Sequence, residues 1–198
     1  MRVVITQRVD RVEGRHEKRD ALDQAWATTL PQVLRREVTM LPLANIPEKA
    51  TVTLDVLKPE CLVLSGGNDR GQAPERDATE TAVLHYATHH QLPVLGVCRG
   101  MQSMQHYLGG ALVKVDGHVA TEHAVRGVDG SELMVNSYHH FGITALAAGL
   151  KAIWTHADGS IEAAAHKTLP WLAVMWHPER AMPPQANAWL AQQLKGWL

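Results

Sequence analysis

Leu92-Pro93-Val94-Leu95-Gly96-Val97-Cys98-Arg99-Gly100-Met101-Gln102 changes character halfway along. Pro93 to Val97 is an apolar run that reads as a buried parallel strand, and the amphipathic stretch from Arg99 to Leu108 reads as a helix. Cys98 stands at the junction with a glycine two residues before it and another two after it. That spacing is a nucleophile elbow, where strand and helix backbones approach so closely that Gly96 and Gly100 leave room no side chain could share. A cysteine at a helix N-terminus is also favoured as thiolate, the reactive form. The competing reading is a buried structural thiol, the common fate of a free cysteine.

Working outward, the first half alternates strand and helix. Val3 to Thr6 reads as a strand, Gln7 to Asp20 as a charge-dense loop, and Asp20 to Arg36 as a helix that Pro31 should break or kink. A second strand follows at Val38 to Leu43, then a short helix at Pro47 to Leu57. Cys61 to Leu64 is a third buried strand, closed by Ser65-Gly66-Gly67-Asn68-Asp69. Pro74 opens a helix that reaches His89 or His90, with Glu75, Asp77 and Glu80 near the positive end of its dipole. This alternation predicts an α/β fold, an open, mostly parallel sheet with helices on both faces.

Beyond Gly109-Gly110 the rhythm becomes that of a small antiparallel addition. Ala111 to Val115, Glu132 to Ser137, Lys151 to His156, Ser160 to Ala165 and Trp171 to Met175 read as short strands, with Asp158-Gly159 a hairpin signal. Pro184 to Leu198 returns to helical spacing. No repeat or linker-like tract interrupts the chain, so one domain over 1–198 is expected.

Composition narrows the function classes. A formal net charge of -1 over 198 residues gives no pull toward nucleic acid or an anionic membrane. Two cysteines do not make a disulfide framework, and no apolar run approaches the roughly 20 residues of a membrane span. The start, Met1-Arg2-Val3-Val4-Ile5, carries no signal-peptide pattern, so the expectation is a soluble, cytoplasmic protein.

A cysteine nucleophile needs a base, a group to orient that base, and N–H donors for an oxyanion. Trp171 to Trp176 is an apolar strand ending in His177-Pro178-Glu179. In open α/β sheets catalytic groups gather beyond the carboxyl ends of the strands, which would put His177 on the same edge as Cys98, with Glu179 in reach of its second ring nitrogen. Gly66-Gly67 can bring bare backbone N–H groups toward the same edge. Each motif alone reads equally as a turn.

Taken together, Pro93 to Gln102, Trp176 to Glu179 and the Gly66-Gly67 loop resemble the class I glutamine amidotransferase superfamily. Arg99 and Asn136-Ser137-Tyr138-His139-His140 are more similar to its gamma-glutamyl hydrolase branch, peptidase family C26. The resemblance implies Cys98 as nucleophile, His177 as base and Glu179 as its orienter, with the N–H groups of Gly67 and Arg99 as the oxyanion hole. It implies glutamyl contacts from Gln102 and from Asn136, Ser137, Tyr138 and His139, beside Gly66 and Asn68. Met175 and Phe141 stand where relatives usually carry Gln, which implies a specialised pocket. The Gln7-Arg8 start, the charged loop and the ending Met175 to Arg180 look most like gamma-glutamyl-CDP-amidate hydrolases, which release glutamate from a nucleotide-linked phosphoramidate made for bacterial surface polysaccharide. The implied ligand is a small gamma-glutamyl compound, nucleotide-linked in that reading, with Arg8 and Arg19 gripping its phosphates. A self-paired, solvated loop is the competing reading.

Three other readings stay open: a hydrolase of a gamma-glutamyl amine such as gamma-glutamyl-aminobutyrate, a glutaminase subunit that passes ammonia to a synthetase, and a redox-sensing protein without acyl chemistry. A homodimer is the open alternative to a monomer, and no cofactor is expected. Twelve histidines invite a metal reading. The adjacent pairs His89-His90 and His139-His140 point in different directions, so neither is a ready two-ligand site; with His118 and His123 single, no metal is expected.

Overall fold

The computed structural model describes residues 1–197. In chain order the elements are β1 (Arg2–Thr6), β2 (Arg8–Val12), β3 (Glu17–Ala21), α1 (Trp26–Leu34), β4 (Thr39–Leu43), α2 (Pro47–Leu57), β5 (Cys61–Leu64), α3 (Pro74–His90), β6 (Val94–Val97) and α4 (Arg99–Tyr107). They continue with β7 (Val113–Lys114), β8 (Val119–Gly127), β9 (Glu132–Tyr138), β10 (Phe141–Gly142), β11 (Leu150–His156), β12 (Ile161–His166), β13 (Trp171–Val174) and α5 (Pro184–Leu194), and a 3-10 turn, Lys195–Trp197, follows. Leu198, the last residue of the expected final helix, lies outside the described residues.

Nine strands form one sheet in the order β4-β1-β5-β6-β13-β12-β11-β8-β9. From β4 to β13 neighbouring strands run parallel, and from β13 to β9 they run antiparallel. Alternate residues of the parallel strands enter two separate cores. Val3, Ile5, Val63, Leu95 and Val174 pack beneath Trp26 and Leu30 of α1 and Ala186 and Leu190 of α5. Val4, Leu62, Leu64, Val94 and Ala173 pack on the other face against Leu54 of α2, Val83 and Leu84 of α3, and Met101 and Met104 of α4. Strands covered on both faces must be apolar throughout, which is why β5, β6 and β13 carry no polar alternation.

Four local expectations are corrected. Gln7 to Asp20 is not a loop but contains most of a hairpin, β2 and β3, whose register sets Asp10 against Arg19 and Val12 against Glu17. Asp10 faces Arg19 but Arg11 faces Lys18, and the ion pairs run along the strands, Arg8 with Asp10 and Arg19 with Glu17; a strand pattern made of charges hides from a search for apolar alternation. Because β3 extends to Ala21, α1 begins at Trp26 and not at Asp20. It then runs through Pro31 without the expected break. Pro31 removes only the bond to the carbonyl of Ala27, an exposed residue whose oxygen can turn to water. Finally, β8 is an additional strand without a sequence signal, because only His123 and Val125 of its nine residues are buried.

Among the described residues, no helix is long and apolar enough to cross a membrane.

Candidate active site

The turn between β6 and α4 sets the geometry. Cys98 has φ 51° and ψ −104°, a left-handed backbone that a non-glycine residue adopts only under strain. Its amide donates to Val174 O at 2.8 Å, tying the elbow to β13. A Cβ built on Gly96 would lie 2.9 Å from the backbone of Gly100, and one on Gly100 would lie 2.1 Å from Leu64 O. Both glycines are therefore required by close approach, as their spacing predicts.

β13 lies beside β6 in parallel register, Val174 opposite Val97, so the chain leaves both strands on one edge. His177 is 2% exposed and its Nδ1 lies 2.7 Å from Glu179 Oε1. Its ring presses on Gly66, where an added Cβ would fall 2.5 Å from Cε1. Tyr138 meets the same ring edge-on, with centroids 5.8 Å apart, and the Arg180 guanidinium stacks on Tyr138 at 4.3 Å. Burial pushes the His177 pKa down. Hydrogen bonds to Cys98 and Glu179, with the negative charge these partners can carry, outweigh burial and raise it to about 9. The imidazolium is therefore the favoured form at neutral pH, with its Nδ1 held by the Glu179 carboxylate at 2.7 Å.

The Gly66-Gly67 loop is fixed from beneath by a group that sequence reading passed over. Arg76 is fully buried and donates to Ser65 O at 2.7 Å, Gly66 O at 3.0 Å and Gly67 O at 3.0 Å. A planar trans peptide points its N–H opposite to its C=O, so holding Gly66 O inward turns the Gly67 N–H away from Arg76. Glu80, also fully buried, receives Arg76 Nε at 2.9 Å, Ser103 Oγ at 2.6 Å and the Arg99 guanidinium. Burial would raise its pKa, but Arg99 and Arg76 hold it below the ordinary carboxylate range. The Arg99 side chain is thus committed to Glu80 and Asp77. Its amide sits in the first turn of α4, without an intrahelical partner. In the sequence Glu80 reads only as a helix-dipole residue; no local motif marks a pair that meets under a loop.

Two cavities flank His177. One of about 190 Å³ is lined by Cys98, Gly67, Asn68, Gln102, Tyr138 and His139, among others. The second, about 270 Å³, is lined by Arg8, Trp26, Gly66, Gly67, Glu179 and Arg180, among others. His177, Gly67 and Arg180 border both.

Several residues expected at the substrate have other partners. Asn136 is 1% exposed and bonds the backbone of His177. Ser137 is fully buried and donates to His118 O at 2.8 Å. Asn68 grips β2, accepting from Val9 N at 2.8 Å and donating to Val9 O at 2.9 Å, while still bordering the smaller cavity. Gln102 donates to Phe141 O at 2.9 Å. Arg19 pairs with Glu17 at 2.6 Å and lines neither cavity, so the expected partnership of Arg8 with Arg19 is replaced here by Arg8 with Arg180.

Comparison with known proteins agrees with this architecture. The chain is 29% identical over 186 residues to the gamma-glutamyl-CDP-amidate hydrolase of Campylobacter jejuni, a match covering 91% of this chain and 90% of that one. It is 28% identical over 159 residues to the carbamoyl phosphate synthase small chain of Symbiobacterium thermophilum, covering 78% of this chain but 42% of that one. Several other curated relatives are spanned over little more than half their length. A glutamine amidotransferase structure from Thermotoga maritima superposes with a TM-score of 0.65 at 15% identity, covering 99% of this chain and 94% of that one, which shows the shared fold. The glutamine amidotransferase class-I model matches residues 20–197, and the chain belongs to that family.

Proposed function

We propose that this protein is a cysteine-dependent hydrolase that cleaves a gamma-glutamyl amide and releases L-glutamate. The observation that carries the reading is the buried His177–Glu179 pair, 2.7 Å apart, on the sheet edge where the strained Cys98 turn also emerges. In this mechanism the Cys98 thiolate attacks the γ-carbonyl carbon, and the oxyanion is received by the N–H groups of Gly67 and Arg99. Collapse breaks the C–N bond as His177 gives its proton to the leaving nitrogen, leaving a γ-glutamyl thioester on Cys98. Water, deprotonated by His177, then attacks the thioester, expelling the thiolate and glutamate. Glu179 holds the imidazole and stabilises its cation throughout.

The cavity bearing Cys98, Gln102, Tyr138 and His139 takes the glutamyl group in this reading. The larger cavity, with Arg8 and Arg180, takes the leaving group. Arg8 Nε is paired with Asp10 at 2.7 Å and Asp23 and Glu179 also line this cavity, but the two guanidinium groups that border it can still grip phosphate oxygens with parallel bonds, which favours an anionic leaving group. The similarity to a gamma-glutamyl-CDP-amidate hydrolase along most of both chains supports a nucleotide phosphoramidate.

The test is to incubate the purified chain alone with glutamine, a gamma-glutamyl alkylamine and a gamma-glutamyl phosphoramidate of cytidine diphosphate, and to measure glutamate. The phosphoramidate should give the highest kcat/KM. Preference for the alkylamine overturns the nucleotide assignment, and activity on glutamine only with an added synthetase returns the chain to the subunit class.

A further inference from the structure

The expectation of no metal rested on residues adjacent in sequence, but the fold gathers histidines from separate segments. His118, which precedes β8, and His123 within it meet His139, just after β9, and His156, at the end of β11. Ring centroids of His118 lie 4.8 to 4.9 Å from those of the other three. At the centre stands Glu162 of β12, fully buried.

Glu162 lacks the partners a buried carboxylate requires. Its Oε1 lies 3.5 Å from His118 Nδ1 and 3.6 Å from His139 Nε2, and its Oε2 lies 3.5 Å from His123 Nε2. None of these is a well-formed hydrogen bond, and Oε2, His118 Nδ1, His139 Nε2 and both nitrogens of His123 are buried without a partner. Ser160 Oγ is 3.3 Å from Glu162 Oε1 but 2.7 Å from Asp158 Oδ1, and its single proton can serve only one of them.

The outer nitrogens of two of these histidines settle how the inner ones face. His139 Nδ1 lies 3.0 Å from the carbonyl of Phe141, which can only accept, so this nitrogen carries the proton. His118 Nε2 lies 2.8 Å from Asp158 Oδ2 and donates to it. In the neutral tautomers both inner nitrogens therefore turn lone pairs toward an oxygen that is also an acceptor. Three acceptors converging without a proton between them call for a cation. A backbone carbonyl or carboxylate on the outer nitrogen is also the support that metal-binding histidines usually have.

We infer that His118, His139 and Glu162, with His123 as fourth ligand, form a binding site for a divalent transition-metal ion of the zinc class. In a tetrahedral zinc site with bonds of about 2.1 Å, neighbouring ligand atoms stand about 3.4 Å apart; the ligand atoms of His118, His139 and Glu162 all lie within 4.8 Å of one another, while His123 faces the other carboxylate oxygen at 3.5 Å and closes in to complete the set. Charge balances as well, since two carboxylates, Glu162 and Asp158, offset a dication while the imidazoles stay neutral. With four protein ligands the site is closed and structural, tying β8 and β9 to β12 behind the wall of the smaller cavity.

The experiment uses the tag-free full chain in a Cys98→Ala background, so that the active-site thiol contributes no ligand. The chain is stripped with chelator, then titrated with zinc and, separately, cobalt(II). About one equivalent should bind, with a rise in Tm and the visible bands of four-coordinate cobalt. Glu162→Gln and His118→Gln should each weaken zinc at least about 100-fold, and Asp158→Asn about tenfold through loss of its support to His118. A double His89→Gln, His90→Gln variant should bind as the parent does. The parent needs no mutation in the cluster, so failure of a variant to fold leaves the test intact. A stripped parent that takes up neither metal overturns the inference, with protons balancing Glu162 instead; so does undiminished binding by folded Glu162→Gln or His118→Gln.

Discussion

Asn136 holds both backbone polar groups of His177, donating from Nδ2 to His177 O at 2.9 Å and accepting from His177 N at 2.8 Å through Oδ1. The bond pair ties the β9 end to the turn after β13, so the histidine is located by a residue 41 positions away in sequence. Asn136→Ala strands two buried backbone groups, each costing about 1–3 kcal/mol. Tm should fall and kcat should drop at least tenfold, with KM changed less than threefold. A raised KM at unchanged Tm and kcat would mark Asn136 as a substrate contact instead.

The His177 proton sets a pH dependence. Its pKa is raised from 6.5 to about 9, so the pair contributes stability that is full below about 6.5 and is lost as pH rises through 9. In the proposed mechanism the same group supplies the proton to the leaving nitrogen, so kcat/KM should fall above about pH 9. Glu179→Gln removes one of the partners that raise the pKa and should move the alkaline limb toward neutrality, with kcat lowered roughly 10- to 10⁴-fold. An alkaline limb unmoved in that variant contradicts the assignment.

Gly66 carries a steric prediction. Its added Cβ would lie 2.5 Å from His177 Cε1, a movable ring, whereas that of Gly100 would strike backbone at 2.1 Å. Gly66→Ala should therefore fold and lose at least tenfold in kcat through a displaced imidazole. Gly100→Ala should lower Tm sharply or prevent folding. Thermal unfolding and steady-state kinetics on both separate the two effects, and a Gly66→Ala enzyme with wild-type kcat contradicts the placement of His177.

Leaving-group recognition separates three arginines. Arg8 and Arg180 border the larger cavity and Arg19 does not. Arg8→Ala and Arg180→Ala should raise KM for the nucleotide phosphoramidate about ten- to hundredfold, the effect of one lost charge-assisted hydrogen bond, while barely touching the alkylamine. Arg19→Ala should leave both substrates alone. Equal effects of all three would reduce the hairpin to a general positive field.

The elbow was legible because it is local: strand, glycine, cysteine, glycine and helix lie within a dozen residues and each needs the next. The parallel half was legible for a similar reason, since strands buried on both faces are apolar throughout. The hairpin β2–β3 escaped because its strands are built largely of charged residues, and β8 because it offers only two inward residues. Arg76, Glu80 and the roles of Asn136 and Ser137 were not legible at all. Each acts through a backbone group or side chain far along the chain, and such contacts leave no periodicity in sequence.

The central claim is that Cys98 forms the acyl intermediate. The chain's other cysteine is an internal control, since Cys61 is 1% exposed and burial pushes its thiol up to about 12. Acid-quenched wild-type enzyme, taken during turnover of the gamma-glutamyl phosphoramidate and analysed by peptide mass spectrometry, should carry a γ-glutamyl adduct on Cys98 and none on Cys61. Cys98→Ala should form no adduct and retain less than about a thousandth of wild-type glutamate release. Glutamate release above that level in the variant, or an adduct on Cys61, would contradict the account.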